Sequence, residues 1–451
     1  MTTLARRLST ADAVVVGLGS MIGAGVFAAF SPAARAVLPA GSGAALLTAL
    51  AVAAAVAFAN ATSSAQLAAQ YPVAGGTYVY GRERLGAWAG FVAGWGFVVG
   101  KTASCAAMAL TFAAYAVPDG APTAVRRAVA ALAVVALAAV NYRGVTRTAR
   151  VARWIVAFVL AALAVTVTVA WLGGAPALGS GLAGCSLSQA AEVSTSCDGA
   201  AGGLPGAYGV LQGAGLLFFA FAGYARVATL GEEVRDPRRA IPRAITLALG
   251  ITVAVYAVVA VTLLAVLGLE GTAAAGAPLA AAVERATADG GGAAWAAAWA
   301  PPLVRVAAAA ASLGALLALV AGVGRTALAM AREGDLPREL STVHPRFRVP
   351  HHAEVALAAV VVVLVLTVDL RGAIGFSSFG VLTYYLVANL SAWTQTAPDR
   401  RYPRALQVFG AVGCAVLCAT LPWVAVVSGA GVLLLGVAVR SVRLRLGAGR
   451  A

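Results

Sequence analysis

The stretch AGWGFVVGKTASCAAMAL, residues 93–110, contains Lys101, the only lysine in the chain. It lies about fifteen residues inside an apolar run, too deep for its ammonium to snorkel to either end. An ionisable side chain in that setting is costly and by default marks a protein interior or a water-filled cavity. Such a lysine can alternate between protonated and neutral states as its surroundings change. It can equally stay fixed against unwound backbone carbonyls, and the residues alone leave both roles open. A second chemical feature is GLGSMIGAGVF, residues 17–27, where Gly17, Gly19, Gly23 and Gly25 fall within nine positions. Glycine weakens helix, and non-helical backbone inside a membrane is tolerated only where it is buried in protein or lines a cavity. GLLFFAFAGYARVA, residues 215–228, repeats the interruption more weakly in the second half of the chain. Paired interruptions in corresponding segments of two halves point to a binding site; close packing of small residues is the alternative reading.

Other chemistries find little support. The three histidines, His344, His351 and His352, lie in or beside one loop. No HExxH, GxSxG, P-loop or paired-carboxylate pattern occurs in the apolar core, so neither an enzyme nor a metal site is expected, and no cofactor is implied. Cys105, Cys414 and Cys418 sit in apolar runs and read as inert core residues. Cys185 and Cys197 flank the loop CSLSQAAEVSTSC, where a disulfide is chemically permitted.

The elements that must position these residues are membrane helices. Of 451 residues, 61% are hydrophobic and 11% charged, and the mean hydropathy is +0.88; this is an all-α polytopic membrane protein. About twelve spans are predicted: near 12–38, 42–70, 86–116, 124–142 and 150–173, then near 207–230, 241–268, 300–331, 352–368 and 372–396, with two more near 404–423 and 425–442. The connectors 174–206, 269–298 and 332–350 are the long polar ones. The start, MTTLARRLSTADAVVVGLGS, runs straight into a span with no small-residue cleavage pattern, so no removable signal peptide is expected. The formal charge of +15 is gathered mainly in alternate loops. That positive-inside pattern places both termini in the cytoplasm of a cell-membrane protein and marks the basic faces for lipid headgroups rather than nucleic acid.

Four segments carry a resemblance to a known family: GLGSMIGAGVF at 17–27, YPVAGGTYVYGRERLG at 71–86, FFAFAGYARVATLGEEVRDPRRAIPRAI at 218–245 and GRTALAMAREGDLPRELSTVHPRFRVPHHA at 324–353. Together, in this order, they resemble the amino acid, polyamine and organocation permease superfamily, specifically its bacterial amino acid permeases. The resemblance implies two inverted five-helix repeats, 12–173 and 207–396, with broken helices 1 and 6, followed by two additional helices in 404–442. It also implies secondary transport of amino acids or related amines, by proton symport or by exchange.

On that resemblance, Ser20, Met21, Ile22, Gly23, Ala24 and Gly25 bind the substrate carboxylate, chiefly through backbone N–H groups at a helix start. Unwound carbonyls around Phe218, Phe219, Ala220, Phe221 and Ala222 take the substrate ammonium, and Phe219 or Phe221 closes over it. Ala24 stands where many relatives carry a hydroxyl, and Ala225 and Arg226 where some carry an acid, so a neutral or small amino acid is favoured over a cationic one. In relatives that run without sodium an ammonium on the fifth helix replaces the ion between helices 1 and 8. The fifth span here has no lysine, and Lys101 is expected to supply that cation from the third helix. Ser312 is the only hydroxyl of the eighth span before Thr326, a poor set for sodium. Glu232, Glu233, Arg235 and Arg238 form either a cytoplasmic gate or a solvated loop with weak ion pairs. A monomer and a homodimer both fit.

Overall fold

A computed structural model describes residues 8–72, 75–118, 120–143, 148–173, 204–228, 234–288, 292–347 and 349–448. The first span is three helical pieces, α1 (Thr10–Met21), α2 (Ala24–Ala28) and α3 (Phe30–Val37). Ser9 starts it with a capping box: its side chain accepts from the Asp12 amide while the Asp12 carboxylate accepts from the Ser9 amide. The second span is α4 (Gly43–Gln70), capped by Ser42. A short helix, α5 (Thr77–Leu85), then leads into the third span, α6 (Ala87–Ala116), which carries Lys101. Gly86 turns the chain between them at φ 99°, a conformation that favours glycine. The fourth and fifth spans are α7 (Thr123–Tyr142) and α8 (Thr148–Leu172).

The second half opens on α9 (Leu204–Phe221), a 3₁₀ turn at Ala222–Tyr224 and α10 (Ala225–Ala228), together the sixth span. The seventh, α11 (Pro237–Ala274), is interrupted at Gly268, φ 70°, where the span was expected to end. The segment 269–298, expected as a polar connector, instead holds α12 (Pro278–Ala288), which buries Leu279, Ala280, Ala282 and Val283. Pro278 fixes its first turn, and its alanines and Val283 supply an apolar face too short to register as a span.

The eighth to twelfth spans are α13 (Ala300–Arg332), α14 (His351–Thr367), α15 (Leu370–Trp393), α16 (Arg404–Thr420) and α17 (Trp423–Ala448). Ten helical segments among the described residues are long and apolar enough to cross a membrane, and α14 and α16 are shorter apolar helices. At 17 residues each these two still reach the lower limit for a span. The core runs along α6, which packs on both α15 and α13, while α4 packs against α9 and α11. Outward faces stay apolar, as at Leu132, Val363 and Leu434, which suits contact with lipid.

Candidate functional site

The break in the first span is made by backbone. α1 ends at Met21, Ile22 turns back to hydrogen-bond its amide to the Leu18 carbonyl at 2.7 Å, and Gly23 leaves helical geometry at ψ −129° before α2 begins. The first amides of α2, at Ala24, Gly25 and Val26, precede any carbonyl four residues back within that helix. Met21, Ile22, Gly23, Ala24 and Gly25 are all buried. The Ser20 hydroxyl is turned onto its own helix, donating to the Val16 carbonyl at 2.9 Å, so this residue meets the site only through its backbone. Gly23 lies against the eighth span: a β-carbon there would come within 2.7 Å of Ala315 Cβ.

The break in the sixth span is milder and lies further along than the sequence suggested. Phe218, Phe219, Ala220 and Phe221 remain in the last turn of α9; only Ala222, of the five expected residues, stands in the 3₁₀ turn. The reason is the position of Gly223. A β-carbon on Gly223 would overlap the Ser20 carbonyl, and one on Gly25 would lie 2.7 Å from Ala220 Cα. Each broken helix thus presents a glycine to the backbone of the other. Tyr256 of α11 ties the pair together, its hydroxyl reaching the Met21 carbonyl at 2.5 Å and the Ala220 carbonyl at 3.1 Å. Phe221 packs on the Tyr256 ring at a centroid separation of 5.0 Å.

Lys101 reaches this junction from α6. Its side chain is buried, with 5% of the residue exposed, and Nζ donates to the Ala222 carbonyl at 3.1 Å. The Tyr385 hydroxyl of α15 donates to the same oxygen at 3.4 Å. The partner of the ammonium is therefore the unwound turn of the sixth span, rather than the first and eighth spans where the replaced sodium ion would lie. Two of the carbonyls expected to receive a substrate ammonium, at Ala220 and Ala222, already accept hydrogen bonds from side chains. Ser312 of α13 is buried, and its hydroxyl has no hydrogen-bond partner among the described residues.

The expected gate is only partly within view. Glu232 and Glu233 lie outside the described residues, as do Cys185 and Cys197. Arg235 and Arg238 are exposed, and the Arg235 amide bonds to the Leu8 carbonyl at 2.9 Å. Cys105, Cys414 and Cys418 are free. A different cluster holds the arginine-rich end together. Asp335, after α13, accepts from the Tyr78 hydroxyl at 2.8 Å and pairs with Arg82 at 3.1 Å and Arg440 at 2.9 Å. Arg82 also pairs with Glu333 at 3.1 Å. Arg440, from α17, lies over the rings of Trp88 and Phe91 at 4.5 and 4.9 Å and donates to the Ala87 carbonyl at 2.9 Å. Burial, and then the neighbouring Asp335 carboxylate, push the Tyr78 hydroxyl well above the usual phenol range, so it stays a donor. Asp335 falls in the segment 332–350, expected as a polar connector. The available signal was an acid between Gly334, at φ 76°, and Pro337, a turn tight enough to send a side chain back toward the helices.

A helical membrane protein whose first and sixth spans break and meet at its centre has the layout of a transporter. The amino acid permease family model matches residues 8–439, and the chain belongs to that family. It is 55% identical over 440 residues to an uncharacterized transporter of Mycobacterium tuberculosis, covering 98% of this chain and 92% of that one. It is 24% identical over 472 residues to the branched-chain amino acid permease of Bacillus subtilis, covering 97% and 92%. It is also 27% identical over 401 residues to the chloroplastic cationic amino acid transporter 7 of Arabidopsis thaliana, covering 85% of this chain and 64% of the plant protein. The protein is an amino acid transporter, not an enzyme.

Proposed function

We propose that this permease is a secondary active transporter that carries amino acids across the cytoplasmic membrane by alternating access, without sodium and coupled to protons through Lys101. Both termini are cytoplasmic, and 12–173 and 207–396 are inverted repeats that move relative to one another. The observation that carries this reading is the contact of the two breaks, with Gly25 on Ala220 and Gly223 on Ser20. At the two breaks the contact is made by glycine against the other span's backbone, so these segments can part there without unpacking large side chains. Residues Ser20 to Gly25 hold the substrate carboxylate through amides, and the last turn of α9, from Phe218 to Phe221, faces the ammonium end, with Phe219 or Phe221 as the closing ring. Glu232, Glu233, Arg235 and Arg238 close the cytoplasmic mouth. Relatives are named for branched-chain and for cationic amino acids, and the substrate here is an α-amino acid.

Exchange without net proton movement is the second reading. The hydrogen bond from Lys101 to the Ala222 carbonyl favours it, because a permanently bound ammonium would serve as a structural cation. Uptake of a radiolabelled amino acid panel into sodium-free proteoliposomes tests both. Accumulation that requires an acidic exterior is the expected result. Uptake that appears only after preloading with amino acid overturns proton symport in favour of exchange, and no uptake of any amino acid overturns the transport reading.

A further inference from the structure

The buried charged side chains among the described residues are Lys101, Asp335, Glu354 and Arg440. Three of them lie at the arginine-rich end: Asp335 and Arg440 pair with each other, and Glu354 sits in the first turn of α14 beside Gly324, near the end of α13. Lys101 alone stands at mid-span. Its surroundings are a carbonyl oxygen, the Tyr385 hydroxyl on that same oxygen and Cys105 one turn further along α6. Nearby, Ser104 and Ser377 bond to one another at 2.6 Å. No described carboxylate forms an ion pair with Lys101. Neutral dipoles orient an ammonium without cancelling its field, so the centre of the molecule carries a net positive potential in a poorly screened interior.

The position of this charge matters as much as its sign. Ala222, which holds the ammonium, is followed by Gly223, whose Cα faces the Ser20 carbonyl at the break of the first span. The charge thus stands where the two breaks meet. A carboxylate arriving there gains a counter-ion, whereas a second cation gains none and meets a like charge.

Resting on the amino acid transport reading above, we propose that Lys101 is the charge filter of this permease: it admits amino acids with uncharged or acidic side chains and rejects those whose side chain is cationic. With unit charges ~6 Å apart and an effective dielectric constant of about 20, the repulsion weakens binding on the order of 100-fold. Every α-amino acid brings the same α-carboxylate and α-ammonium, so what differs between substrates at this charge is the side chain.

The test compares two substrates of equal length that differ in one charge. Purified protein in detergent binds a radiolabelled amino acid that the panel has shown to be carried, in competition with L-norleucine or L-lysine, so that binding is read separately from proton-coupled movement. For the unaltered protein, lysine is expected to compete on the order of 100-fold more weakly than norleucine. Lys101→Gln should narrow that ratio at least about tenfold, and Lys101→Arg, which keeps the charge, should preserve it. Lysine competing as well as norleucine against the unaltered protein overturns the filter, and so does a ratio left unchanged by Lys101→Gln. If neither variant inserts or binds, Lys101→Met is measured in their place, and a ratio left unchanged by it overturns the filter. Failure to take up any amino acid would instead overturn the transport reading beneath the proposal. Uptake of a panel amino acid, with lysine and norleucine competing equally for its site, would leave that reading intact and overturn the filter alone.

Discussion

The centre and the arginine-rich end of this permease handle buried charge in opposite ways. At the end, Asp335 is surrounded by two arginines and a phenol, and Arg440 has a carboxylate, two aromatic faces and a carbonyl around it. At the centre, Lys101 has a carbonyl oxygen that it shares with a tyrosine hydroxyl. Removing one member of a buried ion pair strands the other, whereas removing a lone charge strands nothing. The end is therefore built for stability, and the centre leaves unsatisfied an interaction that a ligand can complete.

Asp335→Asn should have the largest effect on the folded state, lowering stability by about 3–5 kcal/mol because Arg440 loses its carboxylate in a buried setting. Thermal unfolding in detergent would read this, and a loss close to that of an exposed pair would remove the distinction between the two regions. Gly223→Val should come next, since its side chain has no room beside the Ser20 carbonyl; overpacking there costs about 1–3 kcal/mol. It should abolish uptake even in protein that inserts normally, and retained transport would show that the two breaks need not touch. Tyr256→Phe leaves the Met21 and Ala220 carbonyls without their shared donor, a loss of about 1–2 kcal/mol measurable in the same unfolding experiment. Lys101→Met should change stability least, by about 1 kcal/mol or less in either direction, because a buried ammonium is itself costly and Tyr385 still serves the Ala222 oxygen. The same variant should lose pH-dependent uptake. A stability loss as large as that of Asp335→Asn would mean that Lys101 is a structural cation.

Much of this arrangement could be read before any coordinates. Spans follow from apolar length, and the break at Gly23 follows from glycines too closely placed for an ordinary helix. Lys101 stood out because every other basic residue of the lysine and arginine class is arginine. Its partner did not, because Ala222 is distant in the chain and a carbonyl carries no signature in side-chain types. The sixth-span break was legible in kind but misplaced: phenylalanine and alanine keep Phe218–Phe221 helical until Gly223 permits close approach to the first span. α12 was hidden because a short amphipathic helix between spans reads as a connector. The Asp335 cluster was hidden because its members, Tyr78, Arg82, Asp335 and Arg440, come from three separate stretches, each of which looks like solvated surface by itself.

The place of Arg440 in the last span has a consequence for how the molecule is made. During synthesis Asp335 emerges well before α17, and until that final helix arrives it can draw only on Arg82 and Tyr78 for company. α17 thus completes the cluster: it brings the missing cation and seats it against Trp88 and Phe91. Chains released early, lacking α17, would carry a half-compensated acid at the end of α13, a defect that quality-control proteases could recognise in an otherwise inserted bundle.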